Sequence, residues 1–167
     1  TWTFQLRSGV RFSDGTPLTA AVAQQNFERW LLGTPPGRYI FWRGMFGGFA
    51  GEADAEGERL SLVDTVTASG DLTLVITLNR PAASLPNTLA MPSFALVGPA
   101  GLSSADPTSA LNAASAGTGP YVLAGWPQPD LVRLARNPSA WDAARAGGPD
   151  ELVFKIIPDD TQRLLAL

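Results

Sequence analysis

The sequence contains no cysteine and no histidine among its 167 residues. Without cysteine, the chain cannot form a disulfide framework, a thiolate metal site or a cysteine nucleophile. Without histidine, it lacks the commonest general base and the commonest transition-metal ligand, and no Ser-His-Asp triad can form within it. The side chains most often used for nucleophilic catalysis and for transition-metal binding are therefore missing.

Lysine and long apolar runs are also scarce. The formal net charge is −3, and the 12 basic residues are 11 arginines and Lys155. Because the sequence has no stripe of basic residues, we expect no nucleic-acid partner. The longest apolar stretches are far shorter than the roughly 18 residues of a membrane-spanning helix. Hydrophobic residues nevertheless make up 45% of the chain, which is enough to form one folded core.

The first third of the chain predicts a strand followed by a helix. Trp2, Phe4 and Leu6 alternate with polar residues, which is typical of a half-buried strand. Thr19 is placed to cap a helix that runs to about Leu32 and carries one apolar face. We expect that apolar face to pack against the sheet to which the strand belongs.

Two hairpins and three further elements are predicted after this helix. Residues 62–78 and 120–136 read as hairpins, because alternating apolar residues flank a central turn in each. In the first hairpin, as in the opening strand, the alternating apolar residues fall on even-numbered positions. This shared pattern predicts one mainly antiparallel sheet. Residues 81–91 predict a helix, and residues 152–157 predict a strand that is apolar on both faces, as in a covered central strand. The adjacent pair Asp159-Asp160 is best placed to cap a final helix.

An aromatic, glycine-rich segment between residues 38 and 51 has no clear helix or strand period. Glycine lets a ligand approach the backbone closely, and Trp and Tyr offer an apolar face with a polar tip. The rings either fill a core or line a binding cleft, and the residues alone favour the core. The five rings are Tyr39, Phe41, Trp42, Phe46 and Phe49.

Three blocks of the sequence resemble family 5 of the extracellular solute-binding proteins, which serve peptide and nickel ABC importers. Residues 2–20 are similar to the family's W-x-F-x-L-R-x-G-V-x-F-x-D-G-x-P-x-T-A block. Residues 117–141 are similar to its G-T-G-P-Y … W … R-N-P-x-Y-W run, with Ala140 where the family usually has Tyr. Residues 153–167 supply the third block. The order and spacing agree, so the resemblance spans nearly the whole chain.

The resemblance implies a mixed α/β (α+β) fold of the periplasmic-binding-protein type II class. The chain would be a partial first lobe with a mainly antiparallel sheet subdomain. Residues 1–98 would form the small subdomain of that lobe, 99–116 a connection, and 117–167 part of the central sheet. The second lobe would lie outside this sequence, which begins and ends inside regular patterns and which we expect to be a piece of a longer protein.

The resemblance also implies binding without catalysis and without a cofactor. We expect the substrate-binding component of a bacterial ABC importer, located outside the cytoplasm in the periplasm or as a cell-surface lipoprotein. It would capture a peptide or similar small solute between its lobes and deliver it to a membrane ABC permease. The alternatives are a sensor or signalling module on the same fold and a carboxylate-dependent hydrolase, which would need two facing carboxylates. We expect the isolated piece to bind peptides weakly and to self-associate.

Four residues are expected to line the solute cleft by resemblance. Nickel-binding relatives have a ligand-contacting Trp after the first helix, for which Trp42 is the nearest match, and peptide-binding relatives have a Tyr nearby, which suggests Tyr39. A residue just after the family's Leu-Ala-x-Pro stretch also faces the cleft, which suggests Ser93 and Phe94. An arginine there would bind a carboxylate, and Ser93 cannot. We expect no catalytic and no metal-binding residue.

Overall fold

The structure is a computed structural model and describes residues 1–33, 39–102, 116–142, 144 and 147–166. The described elements form two three-stranded antiparallel sheets and several helices. In chain order they are β1 (Trp2–Gln5), α1 (Ala20–Leu32), α2 (Ile40–Phe46), β2 (Val63–Ser69), β3 (Thr73–Leu78), α3 (Leu85–Leu89), a 3-10 turn (Pro92–Phe94), α4 (Pro99–Leu102), β4 (Tyr121–Gln128), β5 (Leu131–Arg136), β6 (Glu151–Lys155) and α5 (Asp160–Leu165).

The first sheet has the strand order β1-β3-β2 and supports the main core. Phe4 pairs with Leu74, and Trp2 pairs with Ile76, across β1 and β3. Leu74 and Ile76 are buried, and Trp2 and Phe4 pack against the same cluster. The predicted hairpin and the predicted shared inward face are therefore confirmed, and α1 packs against β2 and β3 as expected.

Helix α1 begins and ends where the sequence predicts. Oγ1 of Thr19 accepts a hydrogen bond from the backbone N–H of Val22 at 3.3 Å, which satisfies a free donor of the first turn. At the other end Gly33 has a φ of 61°, and a Cβ there would lie 2.5 Å from the ring of Phe49. Glycine adopts this positive φ without strain and leaves room for the Phe49 ring. The helix therefore stops after Leu32, and Phe49 packs over its end.

Helix α2 lies in the segment for which the sequence predicts no regular structure. Rings on both sides of the helix and an interior Gly44 hide its period from a pattern search. In the structure, Trp42 and Phe46 lie one helical turn apart on the buried side. The helix ends at Gly47, whose N–H donates to the carbonyl of Arg43 at 2.9 Å. The expectation of a non-periodic segment is therefore wrong along the whole of α2.

The helix predicted over residues 81–91 is confined to α3, which begins only at Leu85. Pro86 falls in its first turn, where a backbone N–H has no partner within the helix and proline is tolerated. After α3, the chain forms the 3-10 turn that carries Ser93 and Phe94. The prediction of a helix is correct in type and too long by several residues at its start.

The second sheet has the order β4-β5-β6, which confirms the second hairpin and the strand that follows it. That strand ends at Lys155, two residues earlier than predicted. Arg133 and Glu151 form an ion pair between β5 and β6 at 2.9 Å. Helix α5 is capped by Asp159, whose Oδ1 accepts a hydrogen bond from the N–H of Gln162 at 2.7 Å, as predicted. None of the described helices is long and apolar enough to cross a membrane.

Strand β6 exposes apolar side chains on both of its faces. Neighbouring residues of a strand point to opposite faces, and Val153 and Phe154 are 51% and 53% exposed. Leu164 and Leu165 of α5 are exposed as well. The sequence predicts a strand that is covered from both sides, and the described residues leave both sides open.

The two sheets are joined by a few specific contacts. The N–H of Gly98 donates to the carbonyl of Ala116 at 2.9 Å, and the N–H of Ser13 donates to that of Gly117 at 2.8 Å. The guanidinium of Arg7 lies 4.7 Å from the centre of the Trp141 ring, within cation–π range. Most of the predicted connection, residues 103–115, lies outside the described residues.

Candidate functional site

Aromatic rings from α1, α2 and the 3-10 turn pack into one buried cluster. Phe27 and Trp30 of α1 meet edge to face with centroids 5.1 Å apart, and Trp42 and Phe46 of α2 lie 4.3 Å apart. Phe94 contacts Trp30 at 5.6 Å and Phe46 at 5.3 Å. These contacts fix the two segments in which the sequence places the candidate cleft residues, because α2 and the 3-10 turn share one set of rings.

Trp42 and Phe94, two of the four expected cleft residues, lie inside this cluster. Trp42 is 1% exposed, and its Nε1–H donates to the carbonyl of Gly48 at 3.0 Å. The ring of Phe94 lies against that of Trp42, with centroids 6.2 Å apart, and is buried. Both rings therefore lie in the core, beneath the surface formed by α2 and the 3-10 turn. Their contact with a solute stays a prediction.

Tyr39 and Ser93, the other two expected cleft residues, keep accessible surface. Tyr39 is half-buried at the N-cap position of α2 and packs against the core. Ser93 is exposed on the 3-10 turn, next to the buried Phe94. The Trp42–Phe94 contact joins the two segments beneath them. A solute-contacting role for Tyr39 and Ser93 also stays a prediction.

The outer side of α2 carries an apolar pair that the sequence reasoning did not single out. Phe41 is 55% exposed and Met45, one turn later, is 46% exposed. Gly44 lies between them, and a Cβ at that position would meet no atom within 4 Å. The i, i+4 spacing of the pair is a helical signal. The sequence conceals this signal, because the rings on both sides of α2 and the interior Gly44 obscure the helical period.

Arg29, near the end of α1, is a half-buried cation that the sequence reasoning also missed. Its Nε has no accessible surface and no hydrogen-bond partner. The guanidinium lies 5.3 Å from the centre of the Trp30 ring. Burial lowers the pKa of Arg29, and the phenol of Tyr39 raises that pKa in part. An arginine in the last turn of a helix is an ordinary partner for the helix dipole, so sequence alone gives no reason to select it.

An apolar cavity of about 190 Å³ opens beside the aromatic cluster, between the first sheet, α1 and the segment around the 3-10 turn. Every side chain that lines the cavity is a hydrocarbon, so none of these side chains can form a hydrogen bond with a bound group. It can accept only an apolar group, because a polar group would lose its water without gaining a partner. The lining residues are Phe4, Leu6, Ala23, Phe27, Leu74, Ile76, Leu89, Phe94 and Leu96.

The acidic loop after α2 is held by local contacts. Glu52 pairs with Arg43 and accepts a hydrogen bond from the N–H of Phe49 at 2.9 Å. Oδ1 of Asp54 accepts from the N–H of Glu58 at 2.8 Å. Within the described ranges, no three Asp or Glu side chains converge in a way that could hold a metal ion. These carboxylates therefore act as turn-forming groups.

Comparison with known proteins gives a match along the entire chain. The model of the bacterial extracellular solute-binding proteins, family 5 Middle, matches residues 1–167. The glutathione-binding protein GsiB of Pectobacterium atrosepticum is 28% identical over 172 residues, which cover 100% of this chain and 29% of that protein. The chain thus spans less than a third of the length of this curated relative.

Solved structures agree with the fold. AgaA from A. tumefaciens R10, a periplasmic binding protein in complex with agropinic acid, matches with a TM-score of 0.76 and 26% identity, over 99% of this chain and 29% of its own. The unliganded open form of the periplasmic murein tripeptide binding protein MppA matches with a TM-score of 0.77 and 25% identity, over 99% of this chain and 32% of its own. The mixed α/β fold with antiparallel sheets is that of a part of a periplasmic binding protein.

Proposed function

The chain belongs to family 5 of the bacterial extracellular solute-binding proteins, and we propose that it is part of the substrate-binding component of an ABC importer. The observation that carries this proposal is the match of the family model to all 167 residues, together with the fold shared with AgaA and MppA. The solute would be a peptide or a similar small molecule. The names of the relatives support that class, since they bind glutathione, agropinic acid and a murein tripeptide.

In this proposal the chain supplies one wall of a cleft between two lobes. Residues 1–98, with the first sheet and α1, form the small subdomain of the first lobe. Residues 117–167, with the second sheet, belong to its central sheet, and residues 99–116 connect the two. The second lobe lies in the part of the protein that these residues do not cover, which is consistent with the 29% share of GsiB that the chain matches.

Tyr39 and Ser93 are proposed as solute contacts, because both keep accessible surface above the aromatic cluster. Trp42 and Phe94 are proposed to line the same wall from beneath, where they fix the positions of α2 and the 3-10 turn. Aromatic and backbone groups contact a solute with little demand on its side chains, which suits a carrier of varied peptides.

The protein acts by binding alone in this proposal. An open form captures the solute and closes over it, since the solute has a higher affinity for the closed form. The closed form then meets a membrane ABC permease outside the cytoplasm. A signalling role on the same fold would involve the same solute and the same closure. It would differ from transport only in the partner protein that recognises the closed form.

The proposal is tested with the full-length protein, purified and freed of solute by partial unfolding and refolding. Calorimetry with glutathione, di- to pentapeptides and a nickel chelate should give one class of solute with a dissociation constant near 1 μM or lower, about −8 kcal/mol. Ser93→Trp should weaken that binding because the larger side chain would fill the space that the solute occupies at the wall. Ser8→Trp, at another exposed turn position, should leave the binding unchanged. Failure of every solute class to bind would contradict the proposal.

A further inference from the structure

The apolar cavity between α1 and the first sheet is separate from the surface proposed to contact the solute. Tyr39 and Ser93, the two proposed solute contacts, do not line it, and Phe94 is the only expected cleft residue that does. Ala23 contributes to its wall on the side of α1, and Ile76 contributes on the side of β3. Both residues are buried. The cavity therefore reaches into the core of the first subdomain.

The backbone around the cavity has its polar groups engaged elsewhere. The N–H of Leu6 donates to the carbonyl of Leu72 at 2.7 Å, and the N–H of Phe94 donates to that of Met91 at 3.0 Å. Strands β1 and β3 pair with each other along the sheet side. A buried water needs about two to four polar partners, and the hydrocarbon side chains of the cavity supply none. The cavity therefore holds water poorly and favours an apolar guest.

The size and the walls of the cavity indicate which apolar guest fits. Apolar cavities of about 150 Å³ stay dry and bind benzene. This cavity measures about 190 Å³, which leaves room for one ring and a small alkyl group. Phe27 and Phe94 both line it, and their rings can meet a bound ring edge to face. At its margin, Leu6, Leu89 and Leu96 are only half-buried, so the cavity is open to entry from solvent.

We propose that this cavity binds a small uncharged aromatic hydrocarbon of one ring with a short alkyl substituent. The site goes beyond the proposed function, because it takes a second ligand at a place other than the solute cleft. No charged or hydroxyl side chain of the described residues lines the cavity. The guest therefore needs neither a charged head nor a hydrogen-bonding group, and a hydroxyl on its ring would be buried without a partner.

Toluene and phenol test the site, because they have nearly the same shape and differ in a methyl and a hydroxyl group. The full-length protein, freed of solute, is titrated with each compound by calorimetry. Toluene should bind with a dissociation constant of roughly 1 mM or lower, and phenol at least roughly tenfold more weakly. Equal affinity for the two compounds overturns the proposal. Absence of toluene binding also overturns it, since another part of the protein or a second copy would then fill the cavity.

Ala23→Leu should weaken toluene binding at least roughly tenfold, because the larger side chain would occupy the space of the guest. Ala21→Leu is the matched control, since Ala21 is an exposed alanine of the same helix, and it should bind toluene like the native protein. Native-like binding by a folded Ala23→Leu variant overturns the proposal. An equal loss of binding in both variants overturns it as well.

NMR of the native protein decides the location, even where Ala23→Leu fails to fold. The Cδ1 methyl of Ile76, assigned through its loss in Ile76→Val, should show a nuclear Overhauser effect to the ring protons of toluene. The same methyl of Ile156, an exposed residue just after β6, should show none. Toluene binding without a contact to Ile76 overturns the proposal. The titration needs no cleft solute, so its result is independent of the test of the proposed function.

Discussion

The side-chain amide of Asn26 pairs with both backbone groups of Val97. Its Nδ2 donates to the carbonyl of Val97 at 3.0 Å, and its Oδ1 accepts from the N–H of Val97 at 3.0 Å. The two residues are 71 positions apart, and Asn26 is fully buried. The amide of Asn26 takes the place of a neighbouring strand for this stretch of chain. It holds the segment after the 3-10 turn against the middle of α1.

Replacement of Asn26 by leucine should destabilise the fold strongly. Leucine has a similar volume, but it leaves the N–H and the carbonyl of Val97 without partners. The free energy of unfolding should fall by about 2–4 kcal/mol, measured by urea denaturation of the 167-residue chain. Gln25→Ala, at the adjacent exposed position of α1, should change it by less than about 0.5 kcal/mol. Equal effects of the two substitutions would show that the pairing with Val97 is absent in solution.

Two glycines of the α2 region should respond in opposite directions to alanine. Gly47 has a φ of 82°, and a Cβ there would lie 2.5 Å from the carbonyl oxygen of Leu60. Gly47→Ala should therefore destabilise the chain by at least about 2 kcal/mol. Gly44→Ala lies inside α2 with open space around its Cβ, and it should stabilise the chain by up to about 1 kcal/mol. A destabilising Gly44→Ala would count against α2 as a helix.

The sequence predicts most of the scaffold because the deciding signals are local. Alternation along β1 and β3 fixes which residues face the core, and Thr19 and Gly33 mark the ends of α1 by their own capping chemistry. These features depend on neighbours in the chain. The resemblance to family 5, carried by short motifs, then supplies the arrangement of elements that no local pattern contains.

The candidate site is less predictable because its features depend on tertiary packing. The family resemblance points to Trp42 by position along the chain, but the direction of its ring follows from the phase of α2, which Gly44 and the neighbouring rings obscure. The state of Arg29 depends on its burial beside the Trp30 ring and on the absence of an ion pair to it among the described residues. No residue spacing in the sequence indicates that this ion pair is absent. The exposure of Met45 follows from the same unrecognised helix.

Trp42→Phe tests whether this ring belongs to the core. Phenylalanine keeps an aromatic ring but removes the Nε1–H donor, so the buried carbonyl of Gly48 loses its partner. The free energy of unfolding should fall by about 1–3 kcal/mol. Phe41→Leu, on the exposed side of the same helix, should change it by less than about 0.5 kcal/mol. If Trp42→Phe leaves stability unchanged and weakens solute binding by the full-length protein, Trp42 is a solute contact and not a core residue.

The 167-residue chain expressed alone should bind peptides poorly. Good solute sites enclose most of the surface of their ligand, and a single wall encloses little of it. Calorimetry with di- to pentapeptides should give no dissociation constant tighter than roughly 100 μM, about −5.5 kcal/mol. The full-length protein provides the positive control. Micromolar binding by the chain alone would show that these residues form a complete site, and the proposed division into lobes would then be wrong.

The chain expressed alone should also self-associate through its last strand and helix. Strand β6 is the edge of the second sheet among the described strands, so one side of its backbone has free N–H and carbonyl groups, and such an edge recruits other strands. Phe154, exposed on β6, and Leu165, exposed on α5, add an apolar surface that favours burial between two chains.

Sedimentation at about 50 μM, a concentration at which a micromolar dimer is well populated, should show a species of twice 17.6 kDa. Phe154→Lys should shift that species toward the monomer, because a lysine at the centre of the interface would be buried against its own copy and repel it. Phe41→Lys removes a ring of similar exposure from α2, far along the chain from β6, and should leave the dimer intact. A single 17.6 kDa species in the native chain would mean that the net charge of −3 suffices to keep the open strand apart from its copies. If both variants lose the dimer, association does not depend specifically on β6. The prediction that β6 forms the interface would then be wrong.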